Sequence, residues 1–286
     1  MKHSARWLWA CAGMVMMTAA AAQNYPTRPV RLIVPFPPGG GADVMGREAA
    51  TILSEQLRQQ VIVDNRGGAA GRVGFEVVMN APPDGYTLLL GGSGAMIIAP
   101  AMYQKLSYNM QKNFAPVSQI AVSPYALLVH PAVPVKNVKD LVSLAKAKPG
   151  TLNYASGGRG APTHLAAELF KSMAGVDIVH IPYKGSGPAL ISLIGGHEQL
   201  MFTVAVGGLT HVKAGRLKAL AVTSAKPSAL MPGLPTVAQS GLPGYEAVSI
   251  QGLFAPAGTS RAVVERLQQE IAKIVARADV KEKFFN

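Results

Sequence analysis

Short β-branched runs alternate with helix-spaced apolar stretches along nearly the whole chain, and this alternation restricts the fold more than any other feature. Val30-Arg31-Leu32-Ile33-Val34 stops at Pro35, and from Asp43 onward Met45, Ala49, Ile52, Leu53 and Leu57 recur at helical spacing. Val61-Ile62-Val63 and Tyr86-Thr87-Leu88-Leu89-Leu90 follow, the second after the turn Pro83-Asp84-Gly85. Further strands are predicted at 125–129, 152–155, 178–181, 199–202, 217–222 and 247–254. Helices are predicted at 138–147, 162–174 and 262–276, the last with Val264, Leu267, Ile271, Ile274 and Val275 on one face. The order predicts an α/β fold of parallel sheets covered by helices on both sides. Two strand-like segments bounded by prolines, 116–131 and 249–256, lie far apart in the chain. Read as crossover strands, they make 124–248 an inserted lobe and 23–123 with 249–286 the other, with a hinge and a cleft between them. One continuous sheet is the alternative that the pattern leaves open.

The first residues bear on the compartment. Lys2, His3 and Arg6 precede an apolar run from Trp7 to Met17, and small residues then lead to Gln23. This pattern predicts a signal peptide over 1–22, cleaved after Ala22, rather than a membrane anchor, and an exported, periplasmic protein. Cleavage removes Cys11, the single cysteine, so the mature chain has neither disulfide nor thiolate chemistry. Lys and Arg number 27 against 15 Asp and Glu, a net charge of +12. The basic residues are scattered rather than clustered and aromatics are 6%, which argues for small anions as partners over nucleic acid.

Candidate chemistry lies in four glycine-rich loops at strand exits: 35–43, 65–71, 91–94 and 156–164. There, helix N-termini point unpaired N–H groups outward, and glycine lets a ligand approach the backbone. A carboxylate is the natural guest of such a cradle. Asp43 is expected to be the N-cap of the first helix, and Arg66 and Arg159 are candidates for ion pairing. Enzyme signatures are weak. Ser93 in Gly91-Gly92-Ser93-Gly94-Ala95 breaks the nucleophile elbow, and the loop at Gly39 lacks the third glycine of a dinucleotide fingerprint. His130, His164, His180, His197 and His211 include no pair three or four residues apart, so no metal and no cofactor is expected.

Taken together, Tyr25-Pro26-Thr27-Arg28-Pro29-Val30, the Pro-Phe-Pro-Pro-Gly-Gly-Gly-Ala-Asp loop, Pro83-Asp84-Gly85-Tyr86-Thr87-Leu88, His180-Ile181-Pro182-Tyr183-Lys184-Gly185 and Gly252-Leu253-Phe254-Ala255-Pro256-Ala257-Gly258-Thr259 resemble the Bug-type, TctC-like solute-binding proteins. The resemblance runs in order along the mature chain. It implies a two-lobed type II periplasmic-binding fold with a hinge of crossover strands. It further implies a monomeric, non-enzymatic receptor that captures a small carboxylate (an acidic amino acid, a di- or tricarboxylate or an aromatic acid) for a tripartite tricarboxylate transporter or a signalling partner. The ligand residues it implies are Gly39, Gly40, Gly41, Ala42, Asp43, Gly68, Ala69 and Ser93 on one side. On the other they are Ser156, Gly157, Arg159, Thr163, His164 and Lys184. Two departures stand out. Thr203 occupies a position that is commonly acidic, which puts a cleft role there in doubt. The chain also stops at Asn286, where relatives usually continue with a further helix, so apolar surface near Ile271 and Val275 is expected to be exposed. The rival reading is a periplasmic enzyme using Ser93 or His164 on a carboxylic substrate.

Overall fold

The computed structural model describes residues 25–102, 105–277 and 280. The predicted signal peptide lies outside the described residues. β1 (Val30–Val34) runs into α1 (Gly41–Leu57), and β2 (Val61–Asn65) into α2 (Arg72–Met79). β3 (Thr87–Gly92) leads through short helical turns to β4 (Phe114–Val129), which is followed by α3 (Val138–Ala147). Then come β5 (Asn153–Ser156), α4 (Pro162–Ala174), β6 (Val179–Pro182), α5 (Ser186–Ile194), β7 (Leu200–Val204), α6 (Ala205–Lys213) and β8 (Lys218–Val222). β9 (Val248–Pro256) and α7 (Arg261–Ala276) complete the described chain.

The strands form one hydrogen-bonded path, β2-β1-β3-β9-β4-β7-β5-β6, with β8 also on β4. Pairing is parallel at the two ends, β1 with β2 and β3, and β5 with β6 and β7. The expectation of parallel sheets fails at the centre, where β3 pairs antiparallel with β9 and β4 antiparallel with β9, β7 and β8. The cause is topological. β4 and β9 are single passes rather than βαβ repeats, so no crossover helix obliges them to run with their neighbours. β4 meets β9 over 114–124 and β7 and β8 over 125–129, so its two ends serve different neighbours.

Packing follows the pleat. On β4, Tyr125, Leu127 and Val129 enter one hydrophobic cluster, while Ala126 and Leu128 enter another beneath α5 and α6. α2 covers a third cluster around Phe75, where Tyr108 stacks on it at 4.8 Å. The helices α2, α5 and α6 went unpredicted: α2 is only eight residues long, apolar residues surround α5 and glycines interrupt α6, which erases the one-sided stripe in the last two. The apolar stripe of α7 packs on α1 and β4. Ile271 is therefore buried and Val275 half-buried against the core, which corrects the expectation that both would be exposed. A small space of about 20 Å³ remains between this stripe and Ala49, Ile52, Leu53 and Ile120.

Where the chain leaves β8 and returns into β9, one side chain ties the two passes together. Thr223 Oγ1 accepts from the Tyr125 N–H at 2.7 Å and donates to the Ala247 carbonyl at 2.6 Å, and the residue is fully buried. Its backbone adds bonds to the same two residues, Thr223 N–H to the Tyr125 carbonyl and Ala247 N–H to the Thr223 carbonyl. Thr223→Val keeps the shape and removes the hydroxyl. The expected loss is about 1–3 kcal/mol, read as a lower urea midpoint at unchanged slope.

Candidate functional site

The loop after β1 and the loops after β5 and β6 meet face to face. Gly40 caps α1 with extended backbone (φ −91°), and the N–H groups of Asp43 and Val44 already return to its carbonyl. The approach of α5 is closer than any side chain would permit. A Cβ on Gly187 would lie 2.3 Å from the Pro38 carbonyl oxygen, and one on Gly41 2.5 Å from Val204 Cβ. Pro37 fills the space above Gly185 in the same way. The opposing loops are thus in mutual contact across the cleft.

Two adjoining cavities lie in this contact zone. The inner one, about 50 Å³, is lined by Gly40, Gly41 and Ala42 from the start of α1 and by Gly157, Ala161, Pro162, Thr163 and Ser186 opposite. Phe36, Pro37, Tyr125, Val204, Ser249 and Gln251 complete it. The outer one, about 480 Å³, is lined by Gly68, Ala69, Gly71 and Arg72, and opposite by Gly158, Arg159, Tyr183, Lys184 and Gly185. Phe36, Pro37 and Gly157 border both. Among the described residues no acidic side chain lines either cavity, whereas Arg72, Arg159 and Lys184 line the outer one.

Of the residues named from the sequence, Gly40, Gly41, Ala42, Gly157 and Thr163 meet at the inner cavity, and Gly68, Ala69, Gly157, Arg159 and Lys184 at the outer one. Gly39, Asp43, Ser93, Ser156 and His164 line neither and stand behind the lining. Asp43 is not the N-cap: Gly40 holds that place, and Asp43 sits in the first turn. From there its carboxylate accepts from the Gly39 N–H at 3.0 Å, Asn65 Nδ2 at 3.0 Å and Arg47 Nε at 3.0 Å. Burial pushes this carboxyl up, but the bonds from Arg47, Gly39 and Asn65 outweigh it and hold the pKa below the ordinary carboxylate value. Its charge is spent on fixing the Gly39–Gly41 turn instead of facing the cavity. Arg66 pairs with Asp64 at 2.9 Å rather than reaching the cleft. Thr203, in the middle of β7, is buried and lines neither cavity; Gly208 of α6 lies over its methyl group.

The loop 156–160 rests on a buried polar stack. Thr163 Oγ1 accepts from the Gly157 N–H at 3.0 Å, and Ser156 Oγ accepts from the Gly158 N–H at 3.1 Å. Ser156 Oγ also lies 2.6 Å from His180 Nε2, while His164 Nδ1 accepts from the Gly160 N–H at 3.3 Å. The His164 and His180 rings pack 4.2 Å apart, and Tyr154 stacks on His180 at 4.8 Å. These histidines are 16 residues apart in sequence, one in the first turn of α4 and the other on β6, and only the packing of α4 against the sheet brings them together, so spacing gave no signal of the contact. They brace the loop from beneath; among the described residues no group of three or more His, Cys, Asp or Glu is placed to hold a metal ion.

Sequence reasoning missed Tyr125, Ser249 and Gln251. They lie on the two crossover strands, which were read for their apolar run and bounding prolines rather than for their inward-facing polar positions. Ser186 and Gly187 were missed with the helix they begin.

A continuous α/β sheet joined by two antiparallel passes thus carries strand-exit loops that meet over a cleft. The sequence profile described as "tripartite tricarboxylate transporter family receptor", or TctC, matches residues 45–285, and the chain belongs to this family. It is 36% identical over 283 residues to Protein BugT of Bordetella pertussis, covering 97% of this chain and 87% of that one. Among solved structures it is similar to an R. palustris protein with adipate (TM-score 0.87, 37% identity, 91% of this chain and 87% of that one). It is also similar to MatC from Rhodopseudomonas palustris with bound malate (TM-score 0.82, 31% identity, 90% of this chain and 87% of that one). The periplasmic binding protein BugD gives a TM-score of 0.84 at 34% identity over 91% of this chain and 86% of that one. Among the described residues no helix is long and apolar enough to cross a membrane.

Burial, with the neighbouring His164 and Arg159 adding to it, lowers the His180 pKa to about 4, against 6.5 ordinarily. The folded state thus resists a proton that the unfolded chain accepts. Stability is expected to be full at pH 7 and to decline as pH falls from about 6.5 toward 4. His180→Gln should flatten that decline in a melting-temperature series against pH.

Proposed function

We propose that this chain is a periplasmic receptor that binds a small carboxylate between two lobes, 23–123 with 249–286 and 124–248, and releases it unchanged. β4 and β9 serve as the hinge. The closed form is presented to the membrane subunits of a tripartite tricarboxylate transporter or to a signalling partner. One observation carries this reading: the start of α1 and the loop 157–163 line one cavity without an acidic side chain, beside a second cavity bordered by three basic ones. A helix N-terminus favours an anion by about 0.3–1 kcal/mol, rising to about 2 kcal/mol where partly buried. Adipate and malate in the two similar proteins are both carboxylates, which supports the same ligand class here. The inner cavity has room for about three to five waters, enough for one carboxylate and its nearest carbons. The remainder of the ligand extends toward Arg159, Arg72 and Lys184. Ser93 and His164, the groups an enzyme would use, stand outside both cavities, which favours binding over turnover.

A thermal-shift panel of small mono-, di- and tricarboxylates beside neutral sugars tests the reading. An acid at about 100 times its dissociation constant should stabilise the protein by about 2.7 kcal/mol, and the sugars should have no effect. Recovery of the acid unaltered is expected; turnover that disappears in Ser93→Ala would instead favour the enzyme. Gly187→Val should remove the ligand-induced shift while the protein stays folded, because the added side chain meets the Pro38 carbonyl and prevents closure. Arg159→Ala should weaken binding by no more than about fivefold, since the side chain is exposed and solvent screens its charge.

A further inference from the structure

The inner cavity ends on a group that the protein itself leaves unsatisfied. Ser249 and Gln251 stand two residues apart on β9, on one face of the strand, and both line the cavity. They are 3% and 5% exposed. Gln251 Nε2 donates to Ser249 Oγ at 3.0 Å. Gln251 Oε1 is buried and accepts no hydrogen bond. The amide is held in place: a Cβ on Gly92 would lie 2.8 Å from Nε2 and 3.0 Å from Oε1, so the Gly92 backbone closes that side. The other buried side-chain atoms without a hydrogen-bond partner among the described residues, Thr203 Oγ1, Glu198 Oε2, His180 Nδ1 and His211 Nδ1, belong to residues that do not line this cavity. A buried carbonyl oxygen with no donor is unfavourable unless something brings one.

The two ends of the cavity therefore make opposite demands. The start of α1 presents N–H groups and calls for an acceptor, while Gln251 Oε1 calls for a donor. The cavity is small, about 50 Å³, so a ligand that answers both demands is expected to carry its acceptor and donor close together. We propose that Gln251 is a specificity-determining residue that selects acids bearing a hydroxyl or ammonium group beside a carboxylate, the 2-hydroxy and 2-amino acids, over their unsubstituted counterparts. This inference rests on the carboxylate reading above. Water is a poor substitute, because it has to share the same small cavity with the carboxylate.

The test uses acids that differ only at the second carbon: succinate, malate and aspartate, then glutarate, 2-hydroxyglutarate and glutamate. Binding is measured by calorimetry on the mature chain. At whichever chain length binds, the hydroxy or amino acid is expected to bind at least about tenfold more tightly than the plain acid. In Gln251→Met, which keeps length but loses the oxygen, that ratio should fall to about one. Gln251→Glu keeps an acceptor and adds charge, so it should shift preference from hydroxyl toward ammonium and tells the two donors apart. It also serves if the Met variant does not fold. Equal affinity for all three acids in the unmodified protein would overturn the proposal and leave the carboxylate receptor standing. A preference that persists in Gln251→Met would overturn the role of Gln251. No response to any acid, including those of the wider panel, would remove the carboxylate reading and this inference with it.

Discussion

The antiparallel contact of β4 with β9 is the constraint on which the rest of the molecule depends. β4 is 16 residues long and gives its first part to β9 and its last five residues to β7 and β8. Irregularities in its register with β9, at 116–118 and 119–121, let it bend between those neighbours. Thr223 then fixes the place where the two passes meet, by bonding Tyr125 and Ala247 at once. Loops after β1, β5 and β6 would otherwise belong to separate parallel units, and this junction sets them opposite one another. The same two strands supply Tyr125, Ser249 and Gln251 to the inner cavity, so the joint and the site share one structural element.

Electrostatically the cleft is prepared by removing charge from its walls. Asp43, the acidic residue in the first turn of α1, is turned back onto Gly39, Asn65 and Arg47. His164 and His180 are held neutral beneath the 156–160 loop, burial lowering the pKa of each. The Tyr125 phenol, buried against Ser249, is pushed well above its ordinary value and stays protonated. What remains facing the inner cavity are the apolar side chains of Phe36, Pro37, Pro162 and Val204 beside glycine backbone and the uncharged groups of Tyr125, Thr163, Ser186, Ser249 and Gln251, and next to apolar walls such dipoles act more strongly on an anion than they would at the surface. Formal positive charge is confined to the outer cavity, where Arg159 and Lys184 are exposed and better suited to attracting an anion than to gripping it.

The alternation of strands and helices, the glycine loops and the two proline-bounded strands could all be read from the chain, because periodicity and backbone permissiveness are local properties. That was enough for an α/β fold; of the four glycine loops, 35–43, 65–71 and 156–164 contribute residues to the cavity linings, whereas 91–94 does not. It was not enough for strand direction at the centre, since nothing in residues 114–129 or 248–256 distinguishes a parallel from an antiparallel neighbour. Nor did it separate residues that face the cavity from those that hold them. Gly40 and Asp43 are three residues apart in one motif, yet one lines the cavity and the other braces the turn, and that depends on which way the first turn of α1 faces. His164 with His180, Ser156 with His180, and Gln251 with Gly92 are contacts between elements distant in sequence. Sequence by itself determined which segments are stiff, which are permissive and where helix N-termini emerge. Only the tertiary structure decided which of those ends meet, because that choice is made by long-range burial against β4 and β9, which no local pattern encodes.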